Sequence, residues 1–250
     1  MEPHKAGVQY RGTGCVFDDL HQKGKHMTTI DSLERFLEVE LQAWSGKDKT
    51  SKSIQRGPVI AITRQPGCDG ESIAKTLAKK LGLVLYDWEI VEQIAKDTHV
   101  SQQVVATLGE QLRSELDDWL TGFGGTTRLS SHEYLQCLRK VLFTIAIHGN
   151  AVILGRGANF LIPSEKKTLG LCLVAPIEVR TANIMQTLKL SREETLKHIV
   201  RTERDQRLWI RKYGHADVND DINYHMVINT ALVTEETIVQ LVKEIVRARS

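Results

Sequence analysis

The chain has 250 residues, of which 41% are hydrophobic and 26% are charged, so it can form one or two soluble domains with a sizeable core. Its 33 basic and 31 acidic side chains leave a formal net charge of +2, which gives no general electrostatic argument for a nucleic-acid partner. No apolar run approaches the length of a membrane span, and the polar N-terminus is unlike a signal peptide. We therefore expect neither nucleic acid nor a membrane as a partner.

The cysteines are scattered along the chain and contain no C-x-x-C pair. They are Cys15, Cys68, Cys137 and Cys172. This distribution argues against a structural zinc site and against a disulfide framework, so we expect a reducing, cytoplasmic location.

Two segments precede the main domain. Residues 1–26 show no sustained hydrophobic periodicity, and we expect them to be a flexible N-terminal extension. Residues 27–57 start with apolar side chains at helical spacing up to Trp44 and continue into the polar stretch SGKDKTSKSIQRG. They are predicted to be an N-terminal helix and a linker. The helix either caps the sheet or mediates a homodimer.

From residue 58 to residue 250 the sequence alternates short apolar runs with helical patterns. The runs, typical of strands buried on both faces of a parallel sheet, are 59–63, 83–86, 151–154, 169–174 and 226–228. The helical patterns are 72–80, 89–148, 177–188, 192–213 and 235–248, with a capping box at Ser191 and Glu194 and a capping Thr234. This alternation predicts a doubly wound, three-layer α/β fold. The region of about 89–148 exceeds a minimal crossover, so we expect a helical insertion that forms a lid or substrate-binding subdomain.

The stretch RQPGCDGES follows the first predicted strand, where a ligand of such a sheet would bind. A phosphate-binding loop reads G-x-x-x-x-G-K-[ST], but here Glu71 and Ser72 follow Gly70. The glycines would let backbone N–H groups point at an anion, whereas the alternative is a tight strand-to-helix turn. A carboxylate about 4 Å from a phosphate costs roughly 1 to 4 kcal/mol, so Glu71 must turn away or pair with a cation.

Arg64, at the end of the first predicted strand, is the nearest candidate to supply the missing positive charge. A charged side chain immediately before the loop could make a charge-assisted hydrogen bond to a phosphate. The alternative is a structural arginine that pairs with an acid such as Asp87, at the end of the neighbouring strand.

A second stretch, AVILGRGANFLIP, places Arg156 between Gly155 and Gly157 at the end of the third predicted strand. An arginine there can donate two hydrogen bonds to a phosphate. Pairing with a surface carboxylate is the alternative.

A third stretch, RTERDQRLWIRKYG, carries a row of arginines at spacings of three, three and four residues, which put them on one helical face. The row consists of Arg201, Arg204, Arg207 and Arg211. Such a face could neutralise the charge that develops in phosphoryl transfer. It could equally be a solvated face that pairs with Glu203 and Asp205.

These three stretches, in this order, resemble the cytidylate kinase-like family, a divergent branch of the P-loop nucleoside monophosphate kinases. The resemblance covers about residues 58–246. ITRQPGCDGESIAKTLAKKLGLVLYDWEIV resembles the opening strand, glycine loop and Tyr-Asp of that family, and VILGRGANFL resembles its G-R-G segment. NYHMVINTALVTEETIVQLV is similar to its closing strand and final helix.

The resemblance implies a five-stranded parallel sheet, ATP with Mg²⁺ as cofactors, and a nucleoside monophosphate acceptor such as CMP or dCMP. It implies that the phosphates are cradled by Gly67, Cys68, Asp69, Gly70, Glu71 and Ser72. By the same resemblance, Arg156 holds the acceptor, while Arg204 and Arg207, with Arg211, lie on a lid over the transferred phosphoryl group. No metal ligand is assigned.

The sequence departs from the family at three positions. The branch usually carries arginine where Glu71 stands, and the classical enzymes carry lysine. Leu154 and Gly157 stand where true cytidylate kinases have acidic residues. These departures leave open two other functions: a catalytically impaired nucleotide-binding regulatory module, and an interaction domain that binds no nucleotide.

Overall fold

The structure is a computed structural model that describes residues 41–42, 44, 57–96, 98–108, 110–121, 129–155, 157–163 and 168–249. Its strands are β1 (Val59–Arg64), β2 (Val84–Asp87), β3 (Ala151–Leu154), β4 (Leu169–Val174) and β5 (Met226–Asn229). The helices of the main domain are α1 (Gly70–Leu81), α2 (Trp88–Lys96), α3 (Thr98–Ala106), α4 (Glu110–Thr121), α5 (Leu129–His148), α6 (Ile177–Leu188), α7 (Arg192–Tyr213) and α8 (Glu235–Arg249). Short 3₁₀ helices span Ala158–Phe160 and Asp221–Asn223.

All five strands are parallel and lie in the order β2–β3–β1–β4–β5. β1 is central, and Ile62 is level with Leu154 of β3 on one side and Leu171 of β4 on the other. The predicted three-layer α/β fold with a five-stranded parallel sheet is therefore confirmed. Because parallel strands end at the same edge, the loops after β1, β3 and β4 meet there.

Helices cover both faces of the sheet. Alternate residues of β1 point to opposite faces, so its side chains contact helices on both sides. Val59 and Ala61 pack into a first core layer with α2 and α5. Ile60 and Ile62 pack into a second core layer with α1 and α8. Apolar side chains on both faces explain why the strands read as continuous apolar runs in the sequence.

In the described parts of residues 88–148, helices α2 to α5 lie between β2 and β3. The 20-residue α5 packs against α2 and contributes Leu138, Leu142 and Ile145 to the first core layer. Its opposite side carries Phe143 and Ile147 into a smaller cluster with α3 and α4. In the described parts of about 89–148, where a helical insertion is expected, the helices pack both on the sheet and on one another.

The helix starts predicted from the sequence are present. Ser191 accepts a hydrogen bond from the backbone N–H of Glu194, and the Glu194 carboxylate accepts one from the Ser191 N–H at 2.9 Å. The Ser191 hydroxyl, which donates to the Glu194 carboxylate at 2.6 Å, and the Ser191 backbone N–H lower the pKa of the Glu194 carboxyl. Thr234 accepts a hydrogen bond from the Thr237 N–H at 3.3 Å at the start of α8. None of the described helices is long and apolar enough to cross a bilayer.

Only a small part of the two N-terminal segments lies within the described residues. Residues 1–26 and most of 27–57 lie outside them, but Leu41, Gln42 and Trp44 are helical. The Trp44 ring stacks on His148 at the end of α5, with ring centroids 4.5 Å apart and ring planes 4° from parallel. This end of the predicted N-terminal helix therefore packs on the first core layer.

Replacing Trp44 should test how strongly that segment is bound to the domain. Trp44→Ala should lower the free energy of unfolding by about 3 kcal/mol, the lower end of the range for deleting a buried aromatic side chain. Gln42→Ala is the matched control, since Gln42 is exposed in the same helical segment and its loss should change stability by at most about 0.5 kcal/mol. Urea unfolding curves give both values. Equal values for the two variants would contradict the packing of Trp44.

Candidate functional site

The loop after β1 is bound to the end of β4 by three hydrogen bonds. The Gln65 N–H donates to the Leu173 carbonyl at 3.0 Å, and the Ala175 N–H donates to the Gln65 side-chain oxygen at 3.2 Å. The Cys68 thiol donates to the same Leu173 carbonyl at 3.5 Å. Burial raises the pKa of that thiol to about 11, so Cys68 stays protonated and serves as a structural donor at neutral pH.

α6 holds the other side of the loop. A Cβ atom on Gly67, which has a φ of 83°, would lie 2.5 Å from the Arg180 carbonyl oxygen, so only glycine fits this close approach. The Asn183 amide donates to the Gly67 carbonyl at 2.8 Å and to the Asp69 carboxylate at 3.0 Å. The loop therefore reaches the N-terminus of α1 in a conformation that α6 fixes.

Arg64 lies directly over the start of α1. The alternation along β1 puts its side chain on the α1 side of the sheet, and a Cβ atom on Gly70 would lie 2.6 Å from Arg64 Cδ. Gly70 thus leaves room for the aliphatic part of Arg64 to cross the helix N-terminus. Its charge also acts on the Cys68 thiol. Burial raises the pKa of that thiol, and the positive charge of Arg64 partly offsets this rise.

One sequence-based alternative for Arg64 rests on an incorrect neighbour. Asp87 was expected at the end of the strand next to β1, but β3 lies between β1 and β2. The Asp87 carboxylate accepts a hydrogen bond from the Ile90 N–H at 2.9 Å, so it caps α2. The long connection between β2 and β3 brings β3 back beside β1, which sequence alone does not reveal.

Glu71 and Ser72, at the start of α1, both contact polar side chains of helices: Glu71 contacts α1 itself and Ser72 contacts α8. The exposed Glu71 carboxylate lies 2.6 Å from Lys75 Nζ, one turn further along α1. From the sequence, Glu71 was expected either to turn away from a bound phosphate or to pair with a cation. Its ion pair with Lys75 meets the second of these conditions. The Ser72 hydroxyl donates to the Glu235 carboxylate, at the start of α8, at 2.8 Å.

The glycines after β3 are required by packing. A Cβ atom on Gly155 would lie 2.6 Å from Trp88 Cβ, and one on Gly157 would lie 2.9 Å from Ile210 Cδ1. Their φ angles are 145° and 77°, respectively. Arg156, which they flank, lies outside the described residues, so its predicted role remains a prediction.

α7 crosses the carboxyl edge of the sheet. Near β4, Glu203 pairs with the buried Arg180 guanidinium at 2.6 Å, and Arg180 also donates to the Ala175 carbonyl at 2.9 Å. Near β3, Ile210 packs on Gly157. The seven helical steps from Glu203 to Ile210 span about 10 Å, roughly two strand spacings. The middle of α7 therefore passes the end of β1, where the glycine loop begins.

The predicted arginine row lies on the exposed side of α7. Arg201 Nε is 3.9 Å from the Asp205 carboxylate, and an Arg211 amino group is 3.6 Å from the Asp217 carboxylate. Glu203 does not pair with the row, as one alternative expected, because it points inward to Arg180. Arg204 and Arg207 have no ion pair within the part of the chain that the structure describes.

Sequence reasoning missed Arg180, Asn183 and Glu203 as residues that shape the site. The partners that link them to other elements, Glu203 for Arg180 and Gly67 for Asn183, lie 23 and 116 residues away in the chain, and no local spacing marks them. Within the described residues no group of three or more His, Cys, Asp or Glu side chains could hold a metal ion. A magnesium ion bound through nucleotide phosphates needs only one or two protein oxygens.

Two glycine variants should separate backbone strain from the close approach of α6. Gly67→Ala and Gly82→Ala both put a side chain at positive φ, 83° and 65°, but a Cβ on Gly82 would meet nothing within 4 Å. Gly67→Ala should therefore cost about 1–3 kcal/mol more in unfolding free energy, the usual cost of overpacking. Chemical denaturation of both variants measures the difference. Equal losses would mean that the Gly67 loop does not depend on its approach to Arg180.

Comparisons with known proteins indicate the family of this chain. The model of the cytidylate kinase-like family matches residues 59–232, which include all five strands. The chain is 27% identical over 189 residues to the cytidylate kinase of Aeropyrum pernix, covering 75% of this chain and 98% of that protein. It is 26% identical over 185 residues to the cytidylate kinase of Ignicoccus hospitalis, covering 74% and 96%, respectively.

Among solved structures, an uncharacterized protein from Eubacterium ventriosum has a similar fold, with a TM-score of 0.59 and 18% identity. The similarity covers 77% of this chain and 99% of that protein. The resemblance found in the sequence is confirmed, because the family model matches well over half of the chain. This protein belongs to the cytidylate kinase-like family.

Proposed function

We propose that this protein is a nucleoside monophosphate kinase-like phosphotransferase that moves the γ-phosphoryl group of ATP to CMP, dCMP or a related acceptor. Family membership supports a kinase of this general kind. The observation that carries the proposal is the pairing of a constrained glycine loop with Arg64 at the N-terminus of α1. A helix N-terminus with a neighbouring cation favours the binding of phosphate.

The donor nucleotide would be held by residues 64–72. The backbone of Gly67, Cys68, Asp69 and Gly70 would surround the phosphates, and Arg64 would supply the positive charge that Glu71 does not. Ser72 stands at the position whose hydroxyl contacts magnesium in a P-loop, and it would exchange its hydrogen bond to Glu235 for that contact. Magnesium, when bound with ATP, neutralises charge on the β- and γ-phosphates.

The acceptor side would be formed by Arg156 and the α7 arginines. Arg204 and Arg207 are proposed to stabilise charge on the transferred phosphoryl group, since the structure gives them no competing ion pair among the described residues. Arg211 would have to leave Asp217 before it could bind phosphate. The reaction needs no covalent intermediate, because positioning and charge neutralisation supply the catalysis.

One observation favours a second function, a nucleotide-binding regulatory module with impaired catalysis. Leu154, which stands where true cytidylate kinases have an acid, is buried in the second core layer at 2% exposure. Its side chain can neither accept a proton nor hold a metal ion. Under this second proposal, ATP would bind to the loop without turnover.

We further propose that residues 58–250 form one kinase-like domain with the helical insertion at about 89–148, and that residues 1–57 are an appended segment. The scattered cysteines support a cytoplasmic location. A homodimer remains a proposal for the N-terminal helix.

An assay of ADP release should decide between the two functions. With magnesium and ATP, turnover should exceed background for at least one of CMP, dCMP, UMP, AMP and GMP. Arg207→Ala should lower kcat by about 100-fold, as removal of a charge-stabilising donor does. Arg201→Ala is the matched control, because Arg201 already pairs with Asp205 on the same exposed face. ATP binding by calorimetry without any turnover would replace the first function with the second.

The cation of the loop can be tested at Arg64. Arg64→Ala should weaken ATP binding by about 10- to 150-fold, since a charge-assisted hydrogen bond contributes roughly 1.5 to 3 kcal/mol. Lys80→Ala removes an exposed charge at the far end of α1 and should leave the Kd unchanged. Glu71→Lys, which restores the P-loop lysine, should leave binding unchanged or tighten it.

The melting temperature of the apo protein completes the Arg64 test. A structural arginine would lower the melting temperature on substitution while the folded fraction kept its ATP affinity. Unchanged affinity in Arg64→Ala would therefore remove Arg64 from the phosphate site.

A further inference from the structure

Trp88 is a buried residue with an unused hydrogen-bond donor. Its side chain is 7% exposed, and the indole Nε1–H has no hydrogen-bond partner among the residues that the structure describes. An indole N–H can only donate, and buried tryptophans usually find an acceptor for it. A buried donor left unsatisfied destabilises the state that contains it, and a ligand that accepts a hydrogen bond from it removes that cost in the bound state.

The position of Trp88 is at the carboxyl edge of the sheet. It follows Asp87, the last residue of β2, and begins α2. Its ring lies against Gly155 at the end of β3, since a Cβ atom there would be 3.5 Å from Trp88 Cε3. In an indole, Nε1 is on the long edge opposite Cε3, so the donor points away from Gly155.

Aromatic rings of α7 cover Trp88. The Trp209 ring makes an edge-to-face contact with it, with centroids 5.1 Å apart and ring planes at 84°. Tyr213 in turn packs on Trp209, at 5.3 Å between centroids. Flat apolar surfaces with one hydrogen-bond donor suit a planar heterocycle and disfavour a phosphate, which would lose its hydration without gaining a counter-charge.

We propose that Trp88 determines base specificity, by donating its Nε1–H to a carbonyl oxygen or ring nitrogen of the acceptor nucleotide's base. Trp209 would contact the face of the same base. This inference rests on the proposed kinase function, and it assigns the base subsite to the ends of β2 and β3. Because Trp209 belongs to α7, the base reaches Trp88 only when α7 shifts.

A purely structural role for Trp88 makes a different prediction. Phenylalanine keeps an aromatic ring in the core but removes the unsatisfied donor. If Trp88 only fills the core, Trp88→Phe changes stability and leaves nucleotide affinity unaltered in the folded fraction. If Trp88 binds the base, affinity for the acceptor falls while affinity for ATP does not.

The experiment compares wild type, Trp88→Phe and the control Tyr134→Phe, which removes a hydroxyl from the same core layer. For Trp88→Phe, the KM of the preferred nucleoside monophosphate should rise about 2- to 12-fold, the effect of losing one neutral hydrogen bond. The KM of ATP and inhibition by ribose 5-phosphate, which lacks a base, should stay the same. Tyr134→Phe should change none of these values.

The outcomes distinguish this inference from the proposed function. If wild type turns over but Trp88→Phe keeps its acceptor KM, only the inference about Trp88 is wrong. If wild type binds a nucleoside monophosphate without turnover, the calorimetric Kd replaces KM in the same comparison. If wild type binds none, both proposals are overturned. Should Trp88→Phe fail to fold by circular dichroism, Trp88→Met provides a second variant without the donor.

Discussion

Arg180 connects three parts of the carboxyl edge, because its backbone and its side chain contact different elements. Its carbonyl oxygen faces Gly67 of the glycine loop, at a distance that excludes any side chain. The guanidinium donates to the Ala175 carbonyl after β4 and pairs with Glu203 of α7. A guanidinium with 8% side-chain exposure needs such partners, since an unpaired buried charge is strongly destabilising. The position of the loop and the position of α7 are thus coupled through one residue.

The two charged side chains next to the loop, Arg64 and Glu71, are held in different ways. Glu71 faces Lys75 along the surface of α1, so its charge is locally compensated and screened by solvent. The pair is exposed and contributes at most about 1 kcal/mol, which is too little to prevent Glu71 from changing partners when a ligand binds. Arg64 is fixed more firmly, because its stem lies in the space that Gly70 leaves open. The loop therefore has a constrained cation, whereas its neighbouring anion is exposed and pairs along the surface of α1.

How far the sequence predicts this structure depends on the range of the interactions. Apolar runs predicted all five strands, and the capping box at Ser191 predicted the start of α7, because both signals are local. In the sequence the glycines flanking Arg156 only mark where that arginine stands, whereas the structure shows that Gly155 lies against Trp88 and Gly157 against Phe160 and Ile210. Neither contact could be predicted, since it depends on how the helices after β2 and β4 pack across the sheet.

α7 carries two opposite faces, and this constrains how its arginines can act. Glu203, Trp209 and Ile210 face the domain, while Arg204 and Arg207 lie on the solvent side. If these arginines act on a phosphoryl group, α7 must turn or tilt. The contacts that oppose this include the Arg180–Glu203 ion pair, about 1.5–3 kcal/mol, the Trp88–Trp209 ring pair, about 0.5–1.5 kcal/mol, and the burial of Ile210, about 1.5–3 kcal/mol. Their sum, about 3.5–7.5 kcal/mol, is of the same order as the roughly 5.5 kcal/mol that shifts a two-state equilibrium from 1:99 to 99:1. A nucleotide that binds the closed form with micromolar affinity could supply a difference of this size, so the inward contacts of α7 are compatible with a catalytic lid.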